Sequence, residues 1–568
     1  MTVELVGDGP ALAALRETLA DASVPVATAS ADALADADAT DADLTVVVGP
    51  VGAQVFATAN EVRRRWLAVE LGGVGGRALP DVDASVSGFG PSTGCYDCLR
   101  GRVAASAERV EDGAGPDAPT ARLAGTLAAR SAVGLLDGDD APLGRVLEVP
   151  HAEREFLALP HCSCAPERDW ALRREGESRS LDDALARAER ALDGRVGPVA
   201  EVGEAESFPL PYYLASLADT AGFSDVRAPV HAAGVDPDWD AAMMKALGEA
   251  LERYGAAVYR RGDLPAAPAA TLPGAVSLSR FVTPEGIVPR DDETTTWVPG
   301  EDLHSGASVA LPAERVFFPY ETEAPTITTG LGLGNGGAGA LVAGLTEVLE
   351  RDASMLAWYS TYDPLGLAID DEGFETLVRR ARAEGLSVTP TLLTQDVDVP
   401  VVACAVHREG EWPRFALGTA CALDPARAAR SACCEAIQNW LELRGMGRGD
   451  AANAGGRIGH FASRPDSVEG FVAPEATVPA SGLAVEASTD AAALSALLDR
   501  VADAGLDAYA ARLTPRDVDA LGFEVVRVLL PEAQPLFVDE SYFGARAESV
   551  PASLGFEARL RREHHPFP

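Results

Sequence analysis

One short pattern occurs three times in the second half of the chain. It is an acidic residue followed three positions later by Glu or Gln, set among small and apolar residues, at 246–253, 344–352 and 432–438. Positions i and i+3 lie on the same face of a helix, and the apolar neighbours predict that this face is partly buried. The chain is therefore predicted to contain three helices with acidic groups partly removed from water.

Partly buried carboxylates repel each other, and removing each from water raises its free energy. A single helix of this kind is more often an amphipathic surface helix with ordinary Glu–Arg pairs. Three copies in one chain favour a function, because Mg²⁺ prefers carboxylate and water oxygens and bridges them to phosphates. If the three helices converge, the pattern predicts a Mg²⁺–polyphosphate site.

The second copy follows a glycine-rich segment at residues 328–337. A glycine-rich turn that opens a helix can hold phosphate through backbone N–H groups. The segment is not a Walker A loop, because no Gly-Lys-Ser/Thr follows the glycines. It therefore supports a nucleotide site only together with the helices.

With these three motifs, residues 180–568 resemble the YcaO superfamily, whose ATP site is built from three acidic helices. The most specific match is the glycine segment that leads into residues 347–352. The resemblance implies ATP and Mg²⁺ as ligands of the site. It implies that Mg²⁺ is bound by Glu249, Glu252, Glu347, Glu350 and Glu435, and that the nucleotide is contacted by Arg351 and Gln438.

The resemblance also implies ATP-dependent activation of a peptide-backbone amide. With a Cys, Ser or Thr side chain of the substrate as the nucleophile, the product is an azoline in a ribosomally made peptide, such as a bacteriocin. With external sulfide, the product is a thioamide. A third interpretation is a non-catalytic ATP-binding adaptor to another modifying enzyme. We favour the azoline reaction because of the front domain and the C-terminal residues.

The chain ends in His564, His565 and Pro566-Phe-Pro568. Azoline-forming YcaO enzymes tend to end in a Pro-x-Pro-x-Pro tail that reaches the active site, so the resemblance assigns catalytic roles to His564, His565 and Pro568. Histidines beside a terminal carboxylate can act as acid or base near neutral pH. Composition alone would instead favour a disordered end.

Four of the eight cysteines form two close pairs, Cys95 with Cys98 and Cys162 with Cys164. Four thiolates can surround one tetrahedral Zn²⁺, and four protein ligands would make the site structural and not catalytic. The second pair is one residue shorter than usual, so His161 is an alternative fourth ligand.

The first 170 residues alternate strands and helices, which predicts a parallel α/β sheet. The strands are expected at residues 3–6, 44–49 and 66–71. The segment from Gly88 to Leu99 resembles the E1-like, ThiF-like domain found before YcaO in azoline-forming fusions. The resemblance implies a Rossmann-like domain. The partial dinucleotide loop Gly7-Asp8-Gly9 and the lack of an identifiable catalytic cysteine indicate that this domain is a scaffold and not a working E1 enzyme.

The predicted fold class is α/β and α+β, with two domains. Residues 1–175 are predicted to form the zinc-bound E1-like domain and residues 176–568 the YcaO-type ATP-binding domain. A charged segment at 166–180 marks the boundary. The Gly/Ala-rich segment 446–490 is predicted to be an exposed loop insertion.

The formal net charge is −39, from 86 acidic and 47 basic residues, and Lys245 is the only lysine. This acidity argues against nucleic-acid and anionic-membrane partners. It is typical of a salt-adapted, halophilic cytosol, where salt screens self-repulsion. The sequence contains no long apolar run and no signal peptide, so a cytoplasmic location is predicted. The expected partner is a peptide or protein substrate; a separate leader-binding or sulfur-delivery protein and a homodimer stay open.

Overall fold

The computed structural model describes residues 1–35, 42–106, 115–150, 152–175, 179–453 and 458–568. Helices and strands alternate throughout these ranges, in agreement with the predicted mixture of α/β and α+β structure. No helix in these ranges is long and apolar enough to cross a lipid bilayer.

The front part of the chain is built around one mixed sheet, in the order β2-β1-β3-β4-β7-β8-β9. Its strands and a small hairpin are β1 Val3–Val6, β2 Val26–Ala29, β3 Leu44–Pro50, β4 Trp66–Leu71, β5 Gly73–Val74, β6 Arg77–Ala78, β7 Ala84–Phe89, β8 Arg145–Val149 and β9 Ala152–Glu155. Its helices are α1 Gly9–Asp21, α2 Ala31–Leu34, α3 Gln54–Val62, α4 Tyr96–Ser106 and α5 Ala118–Leu136.

The predicted parallel arrangement is confirmed for β1 to β4, whereas β7, β8 and β9 are antiparallel. The difference arises after β4, where the chain returns through the β5–β6 hairpin without a crossover helix, and parallel pairing needs such a crossover. Side chains alternate between two cores, as in β3, where Val46 and Val48 face α1 and α5 while Val47 faces the opposite side.

The rest of the chain contains the longest helices. Its strands are β10 Val199–Glu206, β11 Tyr212–Leu217, β12 His231–Val235, β13 Ala266–Pro268, β14 Thr294–Asp302, β15 Ser308–Pro312, β16 Leu331–Gly334, β17 Leu365–Ala368, β18 Ser387–Leu392, β19 Val401–His407, β20 Phe415–Cys421, β21 Thr477–Pro479, β22 Tyr509–Arg512 and β23 Glu524–Leu529. Its helices are α6 Leu181–Glu189, α7 Trp239–Ala257, α8 Ala313–Val316, α9 Gly337–Trp358, α10 Glu372–Ala383, α11 Pro425–Ala451, α12 Ile458–Phe461, α13 Glu469–Val472, α14 Asp490–Asp503, α15 Arg516–Leu521 and α16 Arg546–Ser553.

These strands form sheets with the orders β10-β11-β12, β13-β14-β22-β23-β16 and β20-β19-β18-β17-β21, and β15 pairs with β14. Helix α7 packs on β11 and β12, α9 packs on β16 and β23, and α11 packs on β19 and β20. Each sheet therefore supports one long helix that carries an acidic motif.

The domain boundary predicted at residue 175 adjoins residues 176–178, which lie outside the described residues, and it stays a prediction. The segment before it is bound to the later part of the chain. Arg173 forms ion pairs with Asp519 and Glu524, and Arg174 donates to the Leu303 carbonyl at 3.1 Å. The two predicted domains are thus joined by polar contacts close to the boundary.

The prediction of an exposed loop at 446–490 holds only in part for the described residues of that segment, most of which are exposed or half-buried while some are helical or buried; residues 454–457 lie outside the described residues. Two short helices and β21 occupy this stretch, and β21 pairs with β17. Phe461, Val468 and Phe471 are buried against the end of α9. A few aromatic and aliphatic side chains are enough to pack this Gly/Ala-rich segment against α9. The overall composition of the segment gave no sign of this packing.

Candidate nucleotide site and cysteine cluster

Each helix with an acidic motif lies directly on a strand because the strand has a glycine at the point of contact. These glycines are Gly234 in β12, Gly332 in β16 and Gly418 in β20. A Cβ atom at any of the three would lie 2.2–2.4 Å from a carbonyl oxygen of the helix, closer than side chains can approach. The glycines therefore let the acidic helix faces meet the ends of the strands.

The first glutamate of each motif is fixed by a backbone N–H of the neighbouring strand or of the turn before it. The bonds run from Ala233 to Glu249 (2.6 Å), from Gly330 to Glu347 (3.0 Å) and from Thr419 to Glu435 (2.6 Å). A backbone donor that lies close to a carboxylate holds it in place and leaves its second oxygen for another partner.

The five predicted glutamates form one electrostatically coupled group. Desolvation and repulsion by Glu347 and Glu249 raise the pKa of Glu252 to about 8. Desolvation and Glu350 raise the pKa of Glu347 to about 7 and that of Glu435 to about 8. Desolvation also raises the pKa values of Glu249 and Glu350. The structure therefore brings all five together, at a free-energy cost that a bound cation would remove.

Three arginines act on this group. Arg253 forms an ion pair with Glu249 and opposes the rise in the pKa values of Glu249 and Glu252. Arg351, which the sequence predicted, interacts with Glu350, Glu347 and Glu435. Sequence reasoning missed Arg527 in β23, which is attracted to Glu347 and Glu252. Arg527 also donates to the carbonyls of residues 327 and 328, each at 2.9 Å. An arginine in the middle of an apolar strand was the signal that could have revealed it.

Two further polar residues of the site were also missed. The Thr419 hydroxyl donates to Glu350 at 2.6 Å. The predicted nucleotide contact Gln438 donates instead to Glu442 at 3.1 Å, and Glu442 accepts a second hydrogen bond from the Tyr212 hydroxyl at 3.0 Å. The charge of Glu442 also raises the pKa of Glu249, so Glu442 lies close to the acidic group. Gln438, which is hydrogen-bonded to Glu442, therefore lies at the edge of that group.

The C-terminal residues reach this site. Phe567 is 4% exposed and packs edge-to-face on Trp358 and Phe471. The backbone oxygen of Pro568 accepts a hydrogen bond from Arg351. The end of the chain is therefore packed on α9 and not free, whereas a catalytic role for the tail stays a prediction.

The two histidines of the tail are anchored within the protein. His565 is 3% exposed, its Nε2 lies 2.7 Å from the Phe537 carbonyl, and desolvation lowers its pKa to about 3. His565 is therefore neutral near pH 7, with Nε2–H as the donor, and this arrangement favours a structural role over proton transfer. The Nδ1 of His564 lies 3.2 Å from the His565 carbonyl. Catalytic roles for both histidines stay predictions.

A family model described as YcaO cyclodehydratase, ATP- and Mg²⁺-binding, matches residues 233–534. This range covers more than half of the chain and includes all three acidic helix motifs. The chain belongs to the YcaO family. It is accordingly a YcaO-type, ATP-dependent cyclodehydratase, as the motifs predicted.

Known proteins resemble this YcaO chain to different extents. An uncharacterized protein of Methanothermobacter thermautotrophicus is 29% identical over 272 residues, which cover 44% of this chain and 69% of that protein. A solved heterocyclase in complex with substrate and cofactor matches 98% of this chain and 83% of its own, with a TM-score of 0.73 and 19% identity. A YcaO from Methanopyrus kandleri bound with AMPPCP and Mg²⁺ matches 64% of this chain and 94% of its own, with a TM-score of 0.51 and 25% identity.

The four predicted cysteines meet in the front part of this YcaO chain. Cys95 lies 3.4 Å from Cys162 and Cys98 lies 3.4 Å from Cys164, measured between sulfurs, and the four sulfurs are within 4.8 Å of one another. Zn–S bonds of about 2.3 Å in a tetrahedron separate sulfurs by about 3.8 Å, so the cluster fits Zn²⁺. His161 stands apart from the four sulfurs and faces Asp263 at 3.6 Å. Zinc itself stays a prediction.

A buried polar network connects the cysteine cluster to the nucleotide site. Helix α4 carries Cys98 and, one turn later, Arg102, which is 1% exposed and forms an ion pair with Asp517. Tyr254 of α7, two residues after Glu252, donates to the same carboxylate at 2.6 Å and accepts from Arg102 at 3.2 Å. The front part of the chain therefore contacts the helix that carries the first acidic motif.

Proposed function

We propose that this enzyme converts Cys, Ser or Thr residues of a peptide or protein substrate into azolines, using ATP and Mg²⁺. The observation that carries the proposal is the group of five glutamates on three converging helices, whose pKa values are raised first by desolvation and, for Glu252, Glu347 and Glu435, also by neighbouring glutamates. The match to a heterocyclase over almost the whole chain supports the azoline reaction, because both parts of the molecule are included.

The residues of the site fit the phosphates of ATP with Mg²⁺. When bound, Mg²⁺ would neutralise negative charge that develops on the transferred phosphoryl group. Glu347 and Glu435 are each held by one backbone N–H, so they can present the other carboxylate oxygen to a metal, whereas both oxygens of Glu249 are engaged, one by the Ala233 N–H and the other by Arg253. Arg351 and Arg527 are cations available to phosphate oxygens. The similar YcaO of Methanopyrus kandleri is bound with AMPPCP and Mg²⁺, which supports a nucleotide with Mg²⁺ as the ligand of this site.

The proposed reaction removes one water from the peptide. The side-chain thiol or hydroxyl of the substrate loses its proton and adds to the preceding backbone carbonyl carbon. The resulting oxyanion attacks the γ-phosphorus of ATP and releases ADP. The C–O bond then breaks, phosphate leaves with the former amide oxygen, and loss of the amide N–H proton completes the C=N bond.

The protein's part in this reaction is to position and shield the reacting groups. Arg351 donates to the backbone oxygen of Pro568, which supports a role for the tail beside the nucleotide site. Burial of Phe567 and His565 fixes that end of the chain. We propose that residues 1–175 act as a scaffold for the substrate, without E1 chemistry.

Mass spectrometry tests this proposal with the purified chain, ATP, Mg²⁺ and a set of peptides that contain Cys, Ser or Thr. We expect loss of one water per modified residue with stoichiometric ADP, and no change in matched peptides with Ala at those positions. Replacement of oxygen by sulfur, dependent on added sulfide, would instead support thioamide formation. ATP binding without any change in peptide mass would support the adaptor function.

A further inference from the structure

The four-cysteine cluster lies against a helix from the later part of the chain. Arg516, the first residue of α15, contacts the Cys164 sulfur at 3.4 Å. Four thiolates around one Zn²⁺ carry a net charge of about −2, so a metal-loaded cluster would attract this guanidinium. The next residue, Asp517, is fully buried and forms the ion pair with Arg102. Helix α15 is therefore attached to the cluster at one residue and to α4 at the next.

Arg102 also depends on the loop that leads to the second cysteine pair. Its Nε donates to the Leu157 carbonyl at 3.2 Å, and one of its terminal nitrogens donates to the Ala158 carbonyl at 3.3 Å. Cys98 lies one turn before Arg102 on α4, and the second cysteine pair follows the two carbonyls within a few residues. A metal bound by both pairs would fasten the loop to α4 and keep both carbonyls beside the Arg102 guanidinium.

Tyr254 connects this arrangement to the nucleotide site. Its hydroxyl accepts from Arg102 at 3.2 Å and donates to Asp517 at 2.6 Å, and the residue is fully buried. Tyr254 follows Glu252 by two residues on α7, and residues two apart project about 200° from each other around a helix. One face of α7 therefore presents Glu252 to the acidic group, while the opposite face is held by Arg102 and Asp517.

We infer that Arg102, Asp517 and Tyr254 are positioning residues that couple metal occupancy of the cysteine cluster to the binding of ATP with Mg²⁺. The metal holds the loop and α4 in the arrangement that supports Arg102, and that arrangement fixes α7 from behind its glutamates. Both ligands then bind best to the same arrangement, so each raises the affinity of the other. The inference rests on the proposed nucleotide site and on the predicted metal.

The zinc affinity of the full-length protein tests the inference. Competition with a zinc-selective fluorescent chelator gives the zinc dissociation constant, with and without saturating AMPPCP and Mg²⁺, and the same mixtures without protein correct for zinc bound by the nucleotide. We expect zinc to bind at least about fivefold more tightly when the nucleotide is present. Equal zinc affinity in both conditions would overturn the inference, and so would a chain that binds no zinc.

A conservative variant tests the residues that carry the coupling. Tyr254→Phe removes the hydroxyl that joins Arg102 to α7 and keeps the buried ring. It should bind both zinc and nucleotide, but the nucleotide should change its zinc affinity by less than about twofold. Tyr213→Phe in β11 is the matched control, because its ring packs on Trp239, outside these contacts, and it should keep the full effect. A Tyr254→Phe protein that is less stable yet keeps the fivefold effect would overturn the assignment.

Glu350→Gln distinguishes failure of the coupling from failure of the nucleotide site. This variant should bind nucleotide at least about tenfold more weakly by isothermal titration, so its zinc affinity should not respond to AMPPCP at the concentration that saturates the unmodified chain. If the unmodified chain binds no nucleotide, the proposed nucleotide site and the inference are both wrong. If it binds nucleotide while its zinc affinity stays constant, only the coupling is wrong.

Discussion

The molecule buries charged side chains in two regions, with opposite arrangements. Where α4 meets α7 and α15, Arg102 is paired with Asp517, and Tyr254 hydrogen-bonds to both. In the nucleotide site, desolvation raises the pKa values of five glutamates, and repulsion within the group adds to this for Glu252, Glu347 and Glu435. Arg253, Arg351 and Arg527 oppose these shifts. The first region is complete without a ligand, whereas the second gains stability when cations bind.

This difference separates structure from function. A buried ion pair with satisfied hydrogen bonds holds two elements in one arrangement, and removal of one partner leaves an uncompensated charge. A cluster of like charges destabilises the protein until a ligand arrives, so removal of one member affects binding more than folding. The following predictions test this contrast, from the largest expected effect to the smallest.

The largest effect is expected at the start of α4. Cys98→Ser should reduce zinc from about one ion per chain to none and unfold the front part, because structural Zn²⁺ contributes about 10 kcal/mol or more to small zinc sites. Metal analysis and thermal unfolding measure both changes. Cys404→Ala, a buried cysteine far along the sequence, should keep its metal. A zinc-free native protein of normal stability would contradict the prediction.

Arg102→Met should destabilise the protein by about 3–5 kcal/mol, because Asp517 is left buried and unpaired. Urea unfolding measures the change. Arg100→Met on the same helix breaks only an exposed pair with Asp97 and should cost less than about 1 kcal/mol. Similar losses of unfolding free energy in both variants would mean that the buried Arg102–Asp517 pair contributes no more than an exposed pair does.

Glu350→Gln should weaken Mg²⁺-dependent ATP binding by at least about tenfold and leave the fold intact. The amide keeps a hydrogen-bond acceptor for Thr419 while removing a repelling charge. Isothermal titration and thermal unfolding in high salt measure the two properties. Glu375→Gln, which alters an exposed pair with Arg379, serves as the control. Unchanged ATP affinity in Glu350→Gln would contradict the enzymatic assignment.

The stability of the nucleotide site should depend on pH. The pKa of Glu252 is raised from 4.5 to about 8, so the folded state retains a proton that the unfolded state has released. The free energy of unfolding of the unmodified chain, relative to that of Glu252→Gln, should be highest below pH 4.5 and should decline as the pH rises from there through about 8. Thermal unfolding of both proteins without Mg²⁺ across this window measures the difference. A difference that is independent of pH would mean that Glu252 is not desolvated.

The smallest effect is expected for the tail. Deletion of Pro568 alone removes the contact with Arg351 but keeps the packing of Phe567, so stability should change by less than about 1 kcal/mol. Peptide modification should fall more than ATP binding. Deletion of Pro566 to Pro568 should also cost about 1.5–3 kcal/mol from lost burial of Phe567. If both truncated chains modified the peptide at the normal rate, the tail would have only a structural role.

The sequence predicted the acidic helices, the early strands of the front sheet and the four-cysteine group because each depends on local spacing. Helix periodicity places Glu347 and Glu350 on one face, and the close spacing in each cysteine pair keeps its sulfurs near each other. Arg527, Thr419 and Glu442 were not predicted, since each joins the site from a separate strand or helix turn. Their spacing along the chain has no relation to their distance in space.

Periodicity and residue chemistry thus determined by themselves which glutamates share a helix face and which cysteines could share a metal, and the family resemblance supplied the nucleotide. The tertiary structure decided which charges are compensated. Arg102 and Asp517 are 415 residues apart along the chain, and only the packing of α4 against α7 and α15 makes them partners. The same packing leaves the five glutamates facing one another, because three glycines bring three separate helices down onto their strands. Charge balance depends on distances between segments, and those are set by the fold as a whole.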